Sequence, residues 1–338
     1  MKQIICVTPG RFTVNECKIR QPGPGEVLLK IRAVGVCGTD LHAYQGTQPF
    51  FTYPRILGHE IAAQVVTPGP GTTRFHQGDP VTVLPYFNCG SCIACRSGKP
   101  NCCTQIQVAG VHTDGAHQEY YVVKEPFLVA GKSLSIEQLA LVEPLAIAAH
   151  GIYRTRIKPG EWVLIMGMGP IGLGLAAIAK IEGANVIGMD ILPDRLQIAQ
   201  KHFGVDYTIE TGNHPDEAIR ELTSGDYPTA VIDATGSQKA IEAGLQYLAH
   251  GGRYTLVGLQ KEPFSFSHPE FHKRETTLQS SRNATLDDFQ RVISWLENKL
   301  LKVEPMISHR IPFNQLTEQF PALLLPESKT IKAIITFP

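Results

Sequence analysis

The stretch EWVLIMGMGPIG, residues 161–172, decides the fold. Glu161 to Met166 reads as a strand, and Gly167-Met168-Gly169-Pro170-Ile171-Gly172 follows it directly. A helical pattern then continues to about Glu182. A G-x-G-x-x-G turn between a strand and a helix has a mechanical meaning. The first glycine permits the tight turn, and the second lets a pyrophosphate approach the backbone at a helix N-terminus. The third lets helix and strand pack closely. Gly167, Gly169 and Gly172 take these places, and Pro170 and Ile171 complete the phosphate-facing turn.

Working outward, a second strand from Asn185 to Met189 ends in Asp190. That carboxylate can accept hydrogen bonds from both ribose hydroxyls and would repel a 2′-phosphate, which predicts NAD rather than NADP. The run from Ala230 to Gly236 is another strand, ending beside the same cofactor with Thr235. Between and after these come a strand at Tyr207 to Glu210, helices near Glu217 to Leu222 and Gln238 to Leu248, and a strand from Arg253 to Leu259. Alternating strands and helices predict an α/β fold with a parallel sheet wound on both faces. This domain is expected over residues 146–283.

The flanking segments, 1–145 and 284–338, read as a second domain of short strands and Pro/Gly turns. Val27 to Ile31 is a strand after the breaker Pro22-Gly23-Pro24-Gly25, and Val65 to Asp79 reads as strand, turn and strand of a small barrel. A helix from Leu286 to Lys299 and a closing strand from Ile331 to Phe337 rejoin it. Within it lies VGVCGTDLHAYQGTQPFFTYPRILGHE, residues 34–60. This run offers a thiolate at Cys37, a hydroxyl at Thr39, a carboxylate at Asp40 and an imidazole at His42, and it ends in Gly58-His59-Glu60. Zinc accepts sulfur, nitrogen and oxygen, and a catalytic zinc keeps one position open. Cys37, His59 and a carboxylate would form such a site. Tyr44, Phe50, Phe51 and Tyr53 lie between the ligands, as a pocket wall or as ordinary core.

Cys89-x2-Cys92-x2-Cys95 is followed by Cys102 and Cys103. Four thiolates at such spacing can surround one zinc with no open position, which makes that site structural. Cys6 and Cys17 have no partner at useful spacing and are expected to pack as small apolar groups. His112 and His117 read first as structural histidines and second as pocket-facing ones.

Composition narrows the function. The 338 residues are 43% hydrophobic, enough for a sizeable core in two domains. Lys plus Arg and Asp plus Glu balance at 31 each, so neither nucleic acid nor a membrane surface is an expected partner. No secretory leader opens the sequence, and the apolar run from Trp162 to Ala179 is broken by glycines and Pro170, so no membrane span is expected. Four of the eight cysteines sit at metal spacing, which favours a reducing compartment, the cytoplasm.

Cys37-Gly38-Thr39-Asp40 with His42, Gly58-His59-Glu60, the four-cysteine loop and the nucleotide turn together resemble the zinc-dependent medium-chain dehydrogenases nearly end to end. The resemblance implies a GroES-like, partly open β-barrel catalytic domain and a Rossmann coenzyme domain. It implies two zinc ions per chain, NAD, a small-molecule alcohol substrate and a homo-oligomer, dimer or tetramer. Cys103, after a seven-residue gap, is then the last structural ligand. Cys37 and His59 hold the catalytic zinc, with Glu60 or Glu143 as the carboxylate. Asp40 orients His59. The resemblance also implies Lewis-acid polarisation of the alcohol, with the proton leaving through Thr39 and His42. Arg195 matches a basic residue lining the adenosine ribose.

Glu143, GTDLH and Ser281-Arg282-Asn283-Ala284 resemble the polyol, threonine and sugar-acid branch. QPFFTYPRILGHE and PEFHKRETTLQSSRNAT are similar to bacterial L-galactonate-type oxidoreductases. This implies a sugar-acid substrate such as L-galactonate, whose carboxylate Arg282 would meet. Lys273, Arg274 and Arg55 are weaker candidates. A polyol or L-threonine dehydrogenase is the enzymatic alternative. A noncatalytic nucleotide sensor is the other, disfavoured because a sensor needs no open zinc site.

Overall fold

The computed structural model describes residues 1–48, 51–212 and 214–338, and Phe50 lies outside them. The chain divides into two compact units. One comprises Met1–Glu143, Ala284–Asn298 and Met306–Pro338, and the other comprises Pro144–Asn283 and Lys299–Pro305. The segment Lys299–Pro305, expected with the first domain, groups with the second. Its Leu301 and Val303 are buried, so it serves as core rather than as a linker.

The first unit is built on the strand Glu26–Val36. It is long because its residues are buried on both faces, so Val27, Leu29, Ile31 and Val34 join one apolar core with Ile61, Ala63, Val81 and Val83. On one side it pairs antiparallel with Glu60–Pro68, setting Gly35 opposite Glu60. On the other it pairs with Tyr120–Lys124 and with Lys332–Thr336, where Ala333 faces Val36. The register therefore brings Gly35, Glu60 and Lys332 to one end of three neighbouring strands. The helix Gly38–Gln45 follows at once, capped at Cys37 and closed by Gly46 in the left-handed region. A Thr285–Asp288 capping box opens the helix Leu286–Glu297.

The second unit carries a six-stranded parallel sheet. Its order is Tyr207–Glu210, Asn185–Asp190, Trp162–Met166, Ala230–Asp233, Arg253–Leu256, Thr277–Ser280. The chain starts in the middle, winds one way and then returns to wind the other. Ligands of such sheets bind where that order reverses, beyond the carboxyl ends of the strands. Here the reversal lies between Trp162–Met166 and Ala230–Asp233, so Gly167 and Thr235 emerge side by side. A Cβ on Gly167 would lie 2.9 Å from Thr235 Cγ2. No helix among the described residues is long and apolar enough to cross a membrane.

Candidate active site and metal centres

Cys37, His59 and Glu60 come together in the first unit, their ligand atoms all within 4.8 Å of one another. Local backbone geometry sets this up. Asp40, at the third position of the helix Gly38–Gln45, accepts the Cys37 N–H at 2.9 Å through one oxygen. Its other oxygen accepts the Gly58 N–H at 3.1 Å. One buried carboxylate thus fixes the chain beside both Cys37 and His59. His59 Nδ1 stands 3.8 Å from Asp40 Oδ1, an ion-pair distance, and makes no hydrogen bond. The helix cap and the Gly58 amide are nearer and take both oxygens.

Acids dominate the cluster. Glu60 and Glu143 are both buried. Glu60 receives Lys332 Nζ on both oxygens, at 2.6 and 2.8 Å, and that ammonium also donates to the Val36 carbonyl at 3.1 Å. Glu143 opens the helix Val142–Thr155 and accepts the Tyr86 hydroxyl on Oε1, while its Oε2 is buried without a partner. Burial first of all, and Glu60 in addition, push the Glu143 carboxyl up to about 7. Burial works against a charged His59 ring, yet Asp40, Cys37 and Glu143 outweigh it and hold His59 well above its ordinary value. Burial would likewise discharge Lys332, and Glu60, Cys37 and Glu143 keep it charged. Sulfur, nitrogen and oxygen donors gathered in a buried, acid-rich cluster fit a zinc ion.

The sulfurs of Cys89, Cys92, Cys95 and Cys103 form the second cluster. Cys92 and Cys95 are 3.5 Å apart, as are Cys89 and Cys103. Sulfurs around a tetrahedral zinc stand about 3.8 Å apart, given Zn–S bonds of about 2.3 Å. Amides already point at them: Cys92 N–H donates to Cys89 Sγ at 3.4 Å, and the Cys89 and Gln105 N–H groups donate to Cys103 Sγ at 3.3 Å each. Backbone amides of Cys95 and Thr104 pull the Cys92 thiol down to about 5, whereas desolvation first of all pushes Cys95 up to about 11. Four thiolates there call for a cation. Cys102 is exposed and outside the group.

In the second unit, Gly167 has a φ of 92°, and a Cβ on Gly172 would meet the Gly167 carbonyl oxygen at 1.7 Å. Gly169 and Pro170 start the helix Pro170–Ile181, with Ile171 in its first turn. Asp190 accepts the Met168 N–H at 2.6 Å and the Leu192 N–H at 2.9 Å. Arg195 Nη1 stands 4.0 Å from it. Thr235 donates its hydroxyl to Asp233. The turn, the acid at the end of the second strand and the threonine at the order reversal thus lie side by side at the carboxyl ends of the strands.

Residues 23–133 match the alcohol dehydrogenase GroES-like domain, and residues 170–298 match the zinc-binding dehydrogenase family. L-galactonate-5-dehydrogenase of Escherichia coli K12 is 41% identical over 337 residues, covering 100% of this chain and 99% of that protein. The chain belongs to the zinc-type medium-chain alcohol dehydrogenase family. Sorbitol dehydrogenase of Halalkalibacterium halodurans is 32% identical over 97% of this chain and 96% of its own. The crystal structure of rspB from E. coli CFT073, an alcohol dehydrogenase complexed with NADH, superposes with a TM-score of 0.93 at 31% identity. It covers 100% of this chain and 99% of that one.

Other residues of this alcohol dehydrogenase singled out in the sequence fall in varied places. Thr39 is half-buried on the first turn of the Gly38–Gln45 helix, and His42 is exposed, its Nδ1 3.0 Å from Thr47 Oγ1. His112 accepts the Val108 N–H. His117 is fully buried, and burial first of all holds it down to about 4, so it is neutral at pH 7. Arg282 is exposed in the second unit, just past the strand Thr277–Ser280. Arg55 pairs with Asp114, and Arg274 caps carbonyls of Gln246 and Leu248. Lys332 and Tyr86 were missed. Lys332 left one signal, a lone cation in the otherwise apolar run Lys-Ala-Ile-Ile.

Proposed function

We propose that this alcohol dehydrogenase oxidises a secondary alcohol of a sugar acid with NAD, L-galactonate being the first substrate to try. The observation carrying the reading is the end-to-end similarity to L-galactonate-5-dehydrogenase of E. coli. In this reading Cys37, His59 and a carboxylate, Glu60 or Glu143, hold the catalytic zinc, and Cys89, Cys92, Cys95 and Cys103 hold the structural one. When bound, zinc supplies Lewis-acid polarisation of the substrate hydroxyl and NAD supplies the hydride acceptor. Thr39 takes up the hydroxyl proton, and His42, being exposed, hands it to solvent. Gly167, Gly169, Pro170, Ile171 and Gly172 cradle the pyrophosphate, Asp190 accepts the ribose hydroxyls, and Arg195 and Thr235 flank the nucleotide. Arg282 meets the substrate carboxylate, which it can grip through two parallel hydrogen bonds. Eight free cysteines suit the cytoplasm, and the reading includes a homo-oligomer.

The test is NADH formation against L-galactonate, other aldonates, sorbitol and L-threonine, repeated with NADP. Aldonates should lead, with NAD strongly preferred. Losing a charged contact of about 2 kcal/mol corresponds to roughly a 30-fold loss of rate. Arg282→Ala should impose that loss on an aldonate and little on a polyol of equal length. Efficient turnover of sorbitol or L-threonine alongside poor turnover of every aldonate would refute the sugar-acid reading.

A further inference from the structure

Two buried carboxylates belong to the catalytic cluster, and their partners differ in kind. Glu60 has both oxygens on the Lys332 ammonium, at 2.6 and 2.8 Å. To ligate a metal fully it must share or give up charge-assisted hydrogen bonds. Glu143 has one oxygen on the neutral Tyr86 hydroxyl, and the other, Oε2, is buried with no partner. A phenol donor leaves the carboxylate charge unspent and fixes its rotation. Proximity alone would choose Glu60, since its carboxylate lies within 4.8 Å of the Cys37 and His59 donors. The partners favour the other acid.

We propose that Tyr86 is a positioning residue that turns Glu143 Oε2 toward the catalytic metal and makes Glu143 its inner carboxylate, while Lys332 holds Glu60 back. Tyr86 suits the task. The residue is only 4% exposed. Its backbone sits in the short strand Tyr86–Phe87, paired with Gln107–Val108 in the register Tyr86↔Val108. Glu143 in turn sits in the first turn of the helix Val142–Thr155, so both ends of the contact are anchored. Groups that orient a metal ligand from behind typically govern metal affinity by about 10- to 100-fold.

The inference rests on the reading of this cluster as the catalytic zinc site, and one experiment separates the two. Wild-type protein holding a single zinc, in the cysteine cluster, would sink that reading itself. With two zincs bound, Tyr86→Phe keeps the ring and removes the hydroxyl. A chelator titration should then show the catalytic zinc released about 10- to 100-fold more readily and the structural zinc retained. Cobalt(II) in the catalytic site of the variant should show a shifted visible spectrum, which a change in packing elsewhere would not produce. Unchanged affinity together with an unchanged cobalt spectrum overturns the proposal. Should Tyr86→Phe fail to fold, Glu143→Gln and Glu60→Gln rank the two acids directly. A larger zinc loss for Glu143→Gln supports the assignment, and an equal or smaller one overturns it.

Discussion

A methyl group at position 35 would lie 1.9 Å from Glu60 Oε2 and 3.0 Å from Glu60 Cβ. Gly35 faces Glu60 across the paired strands, and only a glycine there leaves the carboxylate room to reach Lys332. Gly35→Ala must push the acid aside. Overpacking of this kind costs about 1–3 kcal/mol, and a displaced carboxylate also leaves a buried ammonium without its counter-charge. The variant should unfold at lower urea than wild type and lose most of its kcat/KM, both read against wild type in parallel. Full stability with full activity would mean that Glu60 tolerates a second position. Lys332→Met attacks the same pair from the other side. Breaking a buried ion pair by removing one partner costs about 3–5 kcal/mol, so this change should be the more damaging of the two.

Among the elements, the loop from Cys89 to Cys103 has almost no regular structure of its own. It holds a four-residue helix, Ile93–Arg96, and a single 3-10 turn, Pro100–Cys102. A closed metal site contributes folding free energy directly in such a segment, and an open catalytic site contributes less. Cys92→Ala should therefore lower the melting temperature or abolish assembly. Cys37→Ala should leave a folded protein, with one zinc by metal analysis and no activity. A Cys92→Ala protein that melts like wild type would show the loop to be held by its protein contacts alone. The middle of the parallel sheet was legible because Trp162–Met166, Asn185–Asp190 and Ala230–Asp233 are apolar runs ended by Gly or Asp, a signal contained in a few consecutive residues, whereas the edge strand Thr277–Ser280 is the polar run TLQS and was not predicted. The metal donors were legible because Cys and His at short spacing are rare otherwise. Tyr86 and Lys332 were not. Tyr86 belongs to a two-residue strand that shows no periodicity, and its partner Glu143 is 57 residues away. Asp40 was legible in part. The sequence predicts a role toward His59, and the carboxylate does stand 3.8 Å from His59 Nδ1, but its hydrogen bonds go to the helix cap and the Gly58 amide.

At the scale of the whole molecule, chelation and acid are two different levers. Chelation acts on the first unit, which holds both donor clusters. Acid reaches the second through Glu161, and the first through Glu26 and Glu137, both likewise held below the ordinary value. Desolvation raises the Glu161 carboxyl, but hydrogen bonds from Thr229, Arg253 and the Lys158 N–H prevail and leave it below the ordinary value of 4.5. Because the folded value lies below the unfolded one, its contribution is complete above 4.5 and fades as pH falls through the folded value. Urea midpoints should therefore drop more between pH 6 and pH 3 for wild type than for Glu161→Gln. An equal drop would assign the acid sensitivity to other carboxylates. The pairing of Glu60 with Lys332 also has a consequence in time. The two residues are 272 positions apart, and the strand carrying Lys332 covers the Ala33–Val36 edge. At about 5–20 residues per second, roughly a quarter of a minute to a minute of translation separates the acid from its base. Throughout that interval the nascent first unit exposes an unpaired strand edge beside an uncompensated carboxylate. On the ribosome, that edge is where a chaperone has most to protect, and the catalytic cluster gains its full set of charges only after the entire nucleotide-binding sheet has been synthesised.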